Sequence, residues 1–227
     1  MGITLAFIHT SPVLVPLFTQ LAQSELPEVD RFHMVDESLI KNTIKAQKLT
    51  KTTTRRLLAM VESAHEGGAD AVLVTCSSIG PAASIAARLF DFPVIRVDEA
   101  MAEEAVRAGR RIGVAATLRT TLDPTVALLR DKAAAAGQQV DLIESLAEGA
   151  FEAVLAGDTA THDRMLIDSL TRLVSAVDVV VLAQASMARV VGQLPPDPER
   201  VPILSSPGLA VKRVRSVLFP PATPVVH

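Results

Sequence analysis

The chain has 227 residues, of which 49% are hydrophobic and 21% charged, with a formal net charge of −3. This is the composition of a globular protein of one large or two small domains, and its weak acidic balance gives no reason to expect a nucleic acid or a membrane as partner. One cysteine cannot form an internal disulfide, no signal-like segment opens the chain, and no apolar run reaches transmembrane length. We therefore expect a cytoplasmic protein.

Short apolar runs bounded by turn residues alternate with longer amphipathic stretches along the chain. This pattern is typical of β–α units around a buried parallel sheet. The predicted strands are 3–9, 32–36, 71–76, 93–97, 112–117, 140–144, 179–184 and 202–205. The predicted helices include 81–90, 99–108, 124–136 and 151–156.

The eight predicted strands form two sets of four that align with each other. The aligned strand ends, each pair 108 positions apart, are His9 with Thr117, Asp36 with Glu144, and Cys76 with Gln184. We predict an α/β fold of two similar lobes with pseudo-twofold symmetry, each a four-stranded parallel sheet flanked by helices. Lobe one comprises residues 1–98 and 207–227, and lobe two residues 99–206. Because parallel sheets bind ligands at the carboxyl ends of their strands, the site should lie in the cleft between the lobes.

The lone cysteine, Cys76, lies where the third predicted strand runs into a helix. A helix N-terminus stabilises a thiolate, which predicts a reactive thiol with a lowered pKa. The alternative is a small buried hydrophobe, because cysteine is among the most buried residue types. His9, at the end of the neighbouring strand, is either a base or orienter for Cys76 or a histidine whose partners are already satisfied.

Small polar residues follow several of the predicted strands. Each of them alone is best explained as a helix N-cap, but together they would line the cleft with hydroxyls and backbone N–H groups that suit a carboxylate. Asp36 and Glu144, which end the second strand of each set, are better explained as capping or hinge residues than as acids. The candidate substrate-binding residues are Thr10, Ser11, Ser77, Ser78, Thr117, Thr120, Thr121, Ala185 and Ser186.

Several familiar chemistries lack their motifs. The chain contains no Gly-x-Gly-x-x-Gly, Walker or Gly-x-Ser-x-Gly segment, and its five histidines show no metal-ligand spacing. The basic segment 48–56 could bind phosphate, but a solvated helix face explains it better. We therefore expect a mechanism that uses no cofactor and no metal.

Two segments carry a resemblance to a known family. Cys76-Ser-Ser stands where the aspartate/glutamate/hydantoin racemase superfamily has Cys-Asn-Thr, and Gly113-Val-Ala-Ala-Thr is similar to its Gly-x-x-x-Thr. Val97-Asp-Glu-Ala-Met also looks like the crossover between its lobes. In that family two cysteines, one per lobe, face opposite sides of the α-carbon of the substrate, and one removes the proton while the other donates one, without a cofactor. The resemblance implies that Cys76 is the first of these cysteines.

Gln184 takes the place of the second cysteine, where the family reads Leu-Gly-Cys-Thr and this chain Leu-Ala-Gln-Ala. A carboxamide neither gives nor takes a proton near neutral pH, so three functions remain open. The first is a racemase or isomerase acting on a small carboxylic acid (an amino acid or derivative), in which Cys76 works with another residue such as His9. The second is a one-cysteine decarboxylase of a malonate-type acid or cis–trans isomerase of an unsaturated diacid, and the third is a non-catalytic carboxylate-binding protein. An enzyme is favoured over the third, and the resemblance is compatible with a homo-oligomer.

Overall fold

The computed structural model describes residues 2–194, 197 and 199–220. Its strands are β1 (Thr4–His9), β2 (Asp30–Val35), β3 (Ala71–Val74), β4 (Val94–Arg96), β5 (Arg111–Ala116), β6 (Asp141–Leu146), β7 (Val179–Leu182) and β8 (Ile203–Ser205). Its α-helices are α1 (Val15–Glu25), α2 (Glu37–Ala46), α3 (Lys51–Glu66), α4 (Gly80–Leu89), α5 (Glu99–Ala108), α6 (Arg119–Ala135), α7 (Ala150–Leu155), α8 (Thr159–Val174), α9 (Ala188–Val191) and α10 (Ser206–Leu218). Every helix in this part of the chain is too short or too polar to cross a membrane.

The strands form two four-stranded sheets with the same internal order, β2-β1-β3-β4 and β6-β5-β7-β8. Every pairing in both sheets is parallel. In each sheet the first strand lies between the second and third, which makes the carboxyl ends of the first and third strands neighbours. The predicted α/β fold of two four-stranded parallel sheets is confirmed.

The apolar runs exist because each sheet is covered on both faces. Successive residues of β1 belong to opposite core clusters: Leu5 and Phe7 pack with α1 and α10, whereas Ala6 and Ile8 pack with α3 and α4. All four are fully buried. Complete burial of an aliphatic or aromatic side chain contributes about 1.5–3 kcal/mol, so a strand of this kind is stable only between two layers of helices.

Two predicted strands are shorter than expected at the edge that matters for the site. The ladders end at Val74 in β3 and at Leu182 in β7, two residues before Cys76 and Gln184. The backbone continues extended beyond each ladder, and Thr75 still donates its N–H to the carbonyl of Ile8 (3.0 Å). Cys76 and Gln184 therefore lie just beyond the sheets rather than inside them.

The aligned positions of the two sheets agree with the 108-residue spacing at the third strand only. Cys76 and Gln184 each N-cap a 3₁₀ turn after their strand, which confirms their equivalence. The ladders instead make His9 equivalent to Ala116 rather than Thr117. They likewise make Asp36 equivalent to Ala147 rather than Glu144, because the connections between strands differ in length while the hydrogen-bond register does not.

The helix α6 begins five residues earlier than predicted. Proline is over-represented in the first turn of helices, and Pro124 begins the predicted helix 124–136. In the structure Pro124 lies inside α6, which begins at Arg119. The backbone N–H groups of Thr121 and Leu122 donate to the carbonyl of Leu118 (3.1 and 2.9 Å), which closes the first turn of the helix. The beginning of α6 is thereby brought to the carboxyl end of β5.

The chain returns to the first sheet at its end. Ala210, Val211 and Val214 of α10 pack into the same core cluster as Leu5 and Phe7. This contact supports the assignment of the C-terminal segment to lobe one, although the lobe limits at 98 and 206 stay a prediction. The prediction for lobe one also covers residues 221–227, which lie outside the described residues.

The basic segment 48–56 forms the start of α3. The side chain of Thr50 caps this helix by accepting a hydrogen bond from the backbone N–H of Thr53 (3.1 Å). Lys51 and Arg55 are exposed. The arrangement is that of a solvated helix face, as favoured from the sequence.

Candidate active site

Cys76 lies immediately beyond β3, at the carboxyl edge of the first sheet. Its backbone is extended (φ −127°, ψ 116°), and it is followed by a 3₁₀ turn, Ser77–Ile79, from which α4 begins at Gly80. The strand therefore does not run directly into the α-helix. The intervening turn folds the backbone N–H groups of Ser78 and Ile79 back toward the thiol.

Cys76 is half-buried, and hydrogen-bond donors surround its thiol. Burial raises its pKa above the ordinary value. The hydroxyl of Thr10, the N–H groups of Ser78 and Ile79, and the hydroxyl of Ser78 oppose that rise without cancelling it. The predicted lowering of the pKa is therefore wrong, because the thiol also packs against the apolar cluster beneath α4 and loses hydration there. A thiol of raised pKa is the stronger base once it has lost its proton.

His9 is fully buried, and both of its ring nitrogens have partners. Its Nδ1 lies 2.8 Å from the hydroxyl oxygen of Thr75, and its Nε2 lies 2.8 Å from Nδ1 of His33. The Thr75 hydroxyl in turn donates to the carbonyl of Ile8 (3.1 Å). Burial and the neighbouring His33 lower the pKa of His9 to about 4. These contacts favour a neutral histidine that orders the residue before Cys76 over a base that acts on substrate.

Gln184 occupies in the second sheet the position that Cys76 occupies in the first. Its side-chain oxygen accepts a hydrogen bond from the backbone N–H of Thr117 (2.7 Å), and its side-chain nitrogen donates to the Thr117 hydroxyl (2.7 Å). Thr10 is the equivalent of Thr117 in the first sheet, and it contacts Cys76. In the first sheet this pair of positions places a thiol next to a hydroxyl. In the second sheet the side-chain amide of Gln184 is held by two hydrogen bonds to Thr117.

The start of α6 carries the hydroxyls that face the first sheet. The Ser78 and Thr121 hydroxyl oxygens lie 2.7 Å apart. The Thr120 hydroxyl is buried and has no hydrogen-bond partner among the described residues. Leu118, which precedes the helix, provides no side-chain cap. Free N–H groups and an unpaired hydroxyl at a helix start suit an anion such as a carboxylate.

The remaining predicted residues lie at the same strand ends but make fewer contacts. Ser77 is buried in the turn after Cys76, and Ser11 is half-buried before the 3₁₀ turn Pro12–Leu14. Ala185 and Ser186 follow Gln184 in the corresponding turn, where Ala185 is half-buried and Ser186 is exposed. Their role in binding substrate stays a prediction.

The two acidic strand-end residues have structural partners. Asp36 N-caps α2 by accepting from the N–H of Ser38 (2.9 Å), and it pairs with Arg56 (2.5 Å). The capping role expected of Asp36 is confirmed. Glu144 lies within β6 and pairs with Arg119 (3.1 Å), so it is neither a cap nor an unpaired acid.

A buried ion pair behind the Cys76 turn was not foreseen from the sequence. Arg96 donates two hydrogen bonds to the carboxylate of Asp98 (2.8 and 2.9 Å) and a third to the hydroxyl of Ser84 (3.0 Å). Both charged residues are buried, and the guanidinium lies directly against Gly80 at the start of α4. The only sequence signal was the glycine after Ile79, together with two charges at alternate positions of an otherwise apolar segment.

No cluster of His, Cys, Asp or Glu in the described part of the chain is arranged to hold a metal ion. The groups around Cys76 are hydroxyls, backbone amides and one thiol.

The model of the Asp/Glu/Hydantoin racemase family matches residues 8–214. The chain belongs to this family. As a family member it is an enzyme of the racemase type, an isomerase, and the resemblance read from Cys76-Ser-Ser is confirmed. The comparison with curated protein sequences gave no match.

Solved structures of racemases share the fold of this family member. Glutamate racemase from Francisella tularensis subsp. tularensis SCHU S4, in complex with D-glutamate, has a TM-score of 0.71 at 14% identity, with 96% of this chain and 81% of that chain covered. Allantoin racemase from Klebsiella pneumoniae has a TM-score of 0.70 at 18% identity, over 96% and 88% of the two chains. Picrophilus torridus aspartate racemase has a TM-score of 0.68 at 13% identity, over 95% and 94%.

Proposed function

We propose that this racemase-family enzyme transfers a proton at the α-carbon of a small carboxylic acid, an amino acid or a derivative of one, without a cofactor, and that Cys76 carries the proton. The observation that supports this is the position of the thiol at the carboxyl edge of β3, within hydrogen-bond range of two hydroxyls and two backbone N–H groups. Those donors stabilise the thiolate when the proton leaves. The raised pKa makes that thiolate a strong base for a weakly acidic C–H bond.

The substrate carboxylate would bind at the start of α6. Removal of the α-proton moves negative charge onto the carboxylate oxygens, where nearby donors stabilise it most effectively if they are already in place. The unpaired Thr120 hydroxyl and the uncapped N–H groups of α6 are such donors.

A second candidate is a one-cysteine reaction that needs a proton on one face only. The two hydrogen bonds between Gln184 and Thr117 favour this reaction, because both polar atoms of the amide already have partners and neither can carry a proton to substrate. A decarboxylase of a malonate-type acid would break the bond to the leaving carbon dioxide, keep the electron pair on the α-carbon, and take its proton from Cys76. A cis–trans isomerase of an unsaturated diacid would instead add the Cys76 thiolate to the double bond and later expel it.

Exchange of the α-hydrogen in deuterated water tests the proposal. We would incubate the enzyme with amino acids, hydantoins, malonates and maleate and follow deuterium incorporation, carbon dioxide release and double-bond geometry. Cys76→Ala should lower the rates of deuterium incorporation, carbon dioxide release or double-bond isomerisation by about a hundredfold or more, because general acid–base groups contribute on the order of 10²–10⁴. Cys76→Ser is the matched control for folding and for site volume.

An exchange rate that is unchanged in Cys76→Ala would remove the thiol from the mechanism. Binding of these acids without any turnover would instead support a carboxylate-binding protein.

A further inference from the structure

The hydrogen bond between Ser78 and Thr121 joins the two sheets at the active site. Ser78 lies in the turn after Cys76, and Thr121 lies in the first turn of α6, which follows β5 of the second sheet. The hydroxyl oxygens are 2.7 Å apart and both residues are almost completely buried. A buried hydroxyl that loses its partner is costly, so this contact is a fixed part of the site.

The Ser78 hydroxyl also contacts the Cys76 thiol, and it has one hydrogen to share between two neighbours. When Cys76 is a thiolate, it accepts only, so Ser78 donates to sulfur and Thr121 donates to Ser78. When Cys76 is a thiol, its S–H can donate to Ser78, which then donates to Thr121. The chain of three groups is satisfied in both states, because its hydrogens reverse direction together.

We propose that Thr121 is a positioning residue for Cys76, which holds the Ser78 hydroxyl against the thiol from the second sheet. This role replaces the substrate contact predicted for Thr121 from the sequence. It rests on the proposed function only in so far as Cys76 is the proton carrier. The Thr121 hydroxyl donates to the Ser78 hydroxyl, which in turn donates to the thiolate. The effect of Thr121 on the thiolate is therefore transmitted entirely through Ser78. Packing of α6 against the Cys76 turn would then set how readily the thiol ionises.

The pH dependence of iodoacetamide labelling tests this, since Cys76 is the only cysteine in the chain and the assay needs no substrate. Ser78→Ala should move the midpoint of the labelling profile upward by about one pH unit, and Thr121→Val by about half a unit, as expected for loss of a direct and of a cooperative hydrogen bond. Thr125→Val is the control. Thr125 is equally buried one turn further along α6, and its hydroxyl bonds to the Thr121 carbonyl (2.8 Å) and not to Ser78, so the profile should stay unchanged.

The double variant Ser78→Ala/Thr121→Val tests whether the effect of Thr121 on Cys76 passes through Ser78. Its midpoint should equal that of Ser78→Ala alone, and Thr121→Ser should restore the wild-type profile. Additive shifts, no shift in Thr121→Val, or an equal shift in Thr125→Val would each overturn the proposal. If the valine variant does not fold, Thr121→Ala is used in its place. A shifted labelling profile in an enzyme whose exchange activity survives Cys76→Ala would support the positioning role while the proposed function fails.

Discussion

Cys76 and Gln184 hold equivalent positions in the two sheets, yet only one of them can move a proton. The thiol contacts Thr10 and the donors of its own turn. The amide is committed to both polar groups of Thr117. At the scale of single residues, the asymmetry of the site therefore comes from one side chain and from the hydrogen bonds that hold it.

Replacing Gln184 by cysteine should give the enzyme a proton carrier on the second face. We expect Gln184→Cys to raise the rate of inversion relative to the rate of α-hydrogen exchange by about tenfold or more, because a thiol exchanges protons and an amide does not. The measurement is chiral analysis of a substrate that incorporates deuterium. Gln184→Ala, which removes the two hydrogen bonds to Thr117 without supplying a thiol, should show no such gain. Wild-type enzyme that inverts its substrate as fast as it exchanges the α-hydrogen would contradict the prediction.

The sequence predicted the position of Cys76 and its equivalence to Gln184, but not the behaviour of the thiol. Helix-start arguments are local, and they favour a lowered pKa. The pKa is raised because apolar residues from other elements remove water from the sulfur. His9 is a similar case, since its partners Thr75 and His33 lie 66 and 24 positions away in the chain.

At the scale of elements, the start of α4 is fixed from behind by the buried Arg96–Asp98 pair. The guanidinium is held by two hydrogen bonds to the carboxylate and lies where a Cβ atom on Gly80 would have to go, 2.6 Å from the nearest nitrogen. A charged group that is buried and paired cannot move without large cost. The glycine is therefore required for the close approach that places the turn carrying Cys76.

Gly80→Ala should destabilise the protein by about 1–3 kcal/mol, the usual cost of overpacking a well-filled site. Chemical denaturation measures this directly. Gly208→Ala is the matched control, because Gly208 also lies in a helix, α10, and an added Cβ there meets no heavy atom within 4 Å. It should leave stability unchanged or raise it by up to about 1 kcal/mol. Equal effects of the two substitutions would show that the Arg96 contact does not constrain α4.

At the scale of the whole molecule, the paired histidines make folding sensitive to acid. The pKa of His9 falls from 6.5 to about 4 in the folded protein, and burial also lowers that of His33. Below about pH 6.5, these histidines therefore bind more protons in the unfolded chain than in the folded chain. Stability is fully retained above pH 6.5 and is lost as the pH falls from 6.5 toward 4.

Loss of this effect is expected in His9→Asn. The wild-type free energy of unfolding should fall by up to about 3 kcal/mol between pH 7 and pH 4 because of His9, and His9→Asn should show a clearly shallower slope in urea titrations over that range. Thr75→Val is the control: it removes the partner of Nδ1 and lowers stability at every pH, but it leaves the titrating group in place. A slope in His9→Asn as steep as in the wild type would contradict the assignment.

The sequence by itself determined the fold class, the eight strands and the correspondence between Cys76 and Gln184. It did so because the central strands, which are buried on both faces, must be largely apolar, and that pattern is local. Tertiary structure alone decided the raised pKa of Cys76, the partners of His9, and the bond between Ser78 and Thr121 across 43 positions of chain. Each of these depends on side chains brought together from separate elements, whose distances and hydration no local pattern encodes.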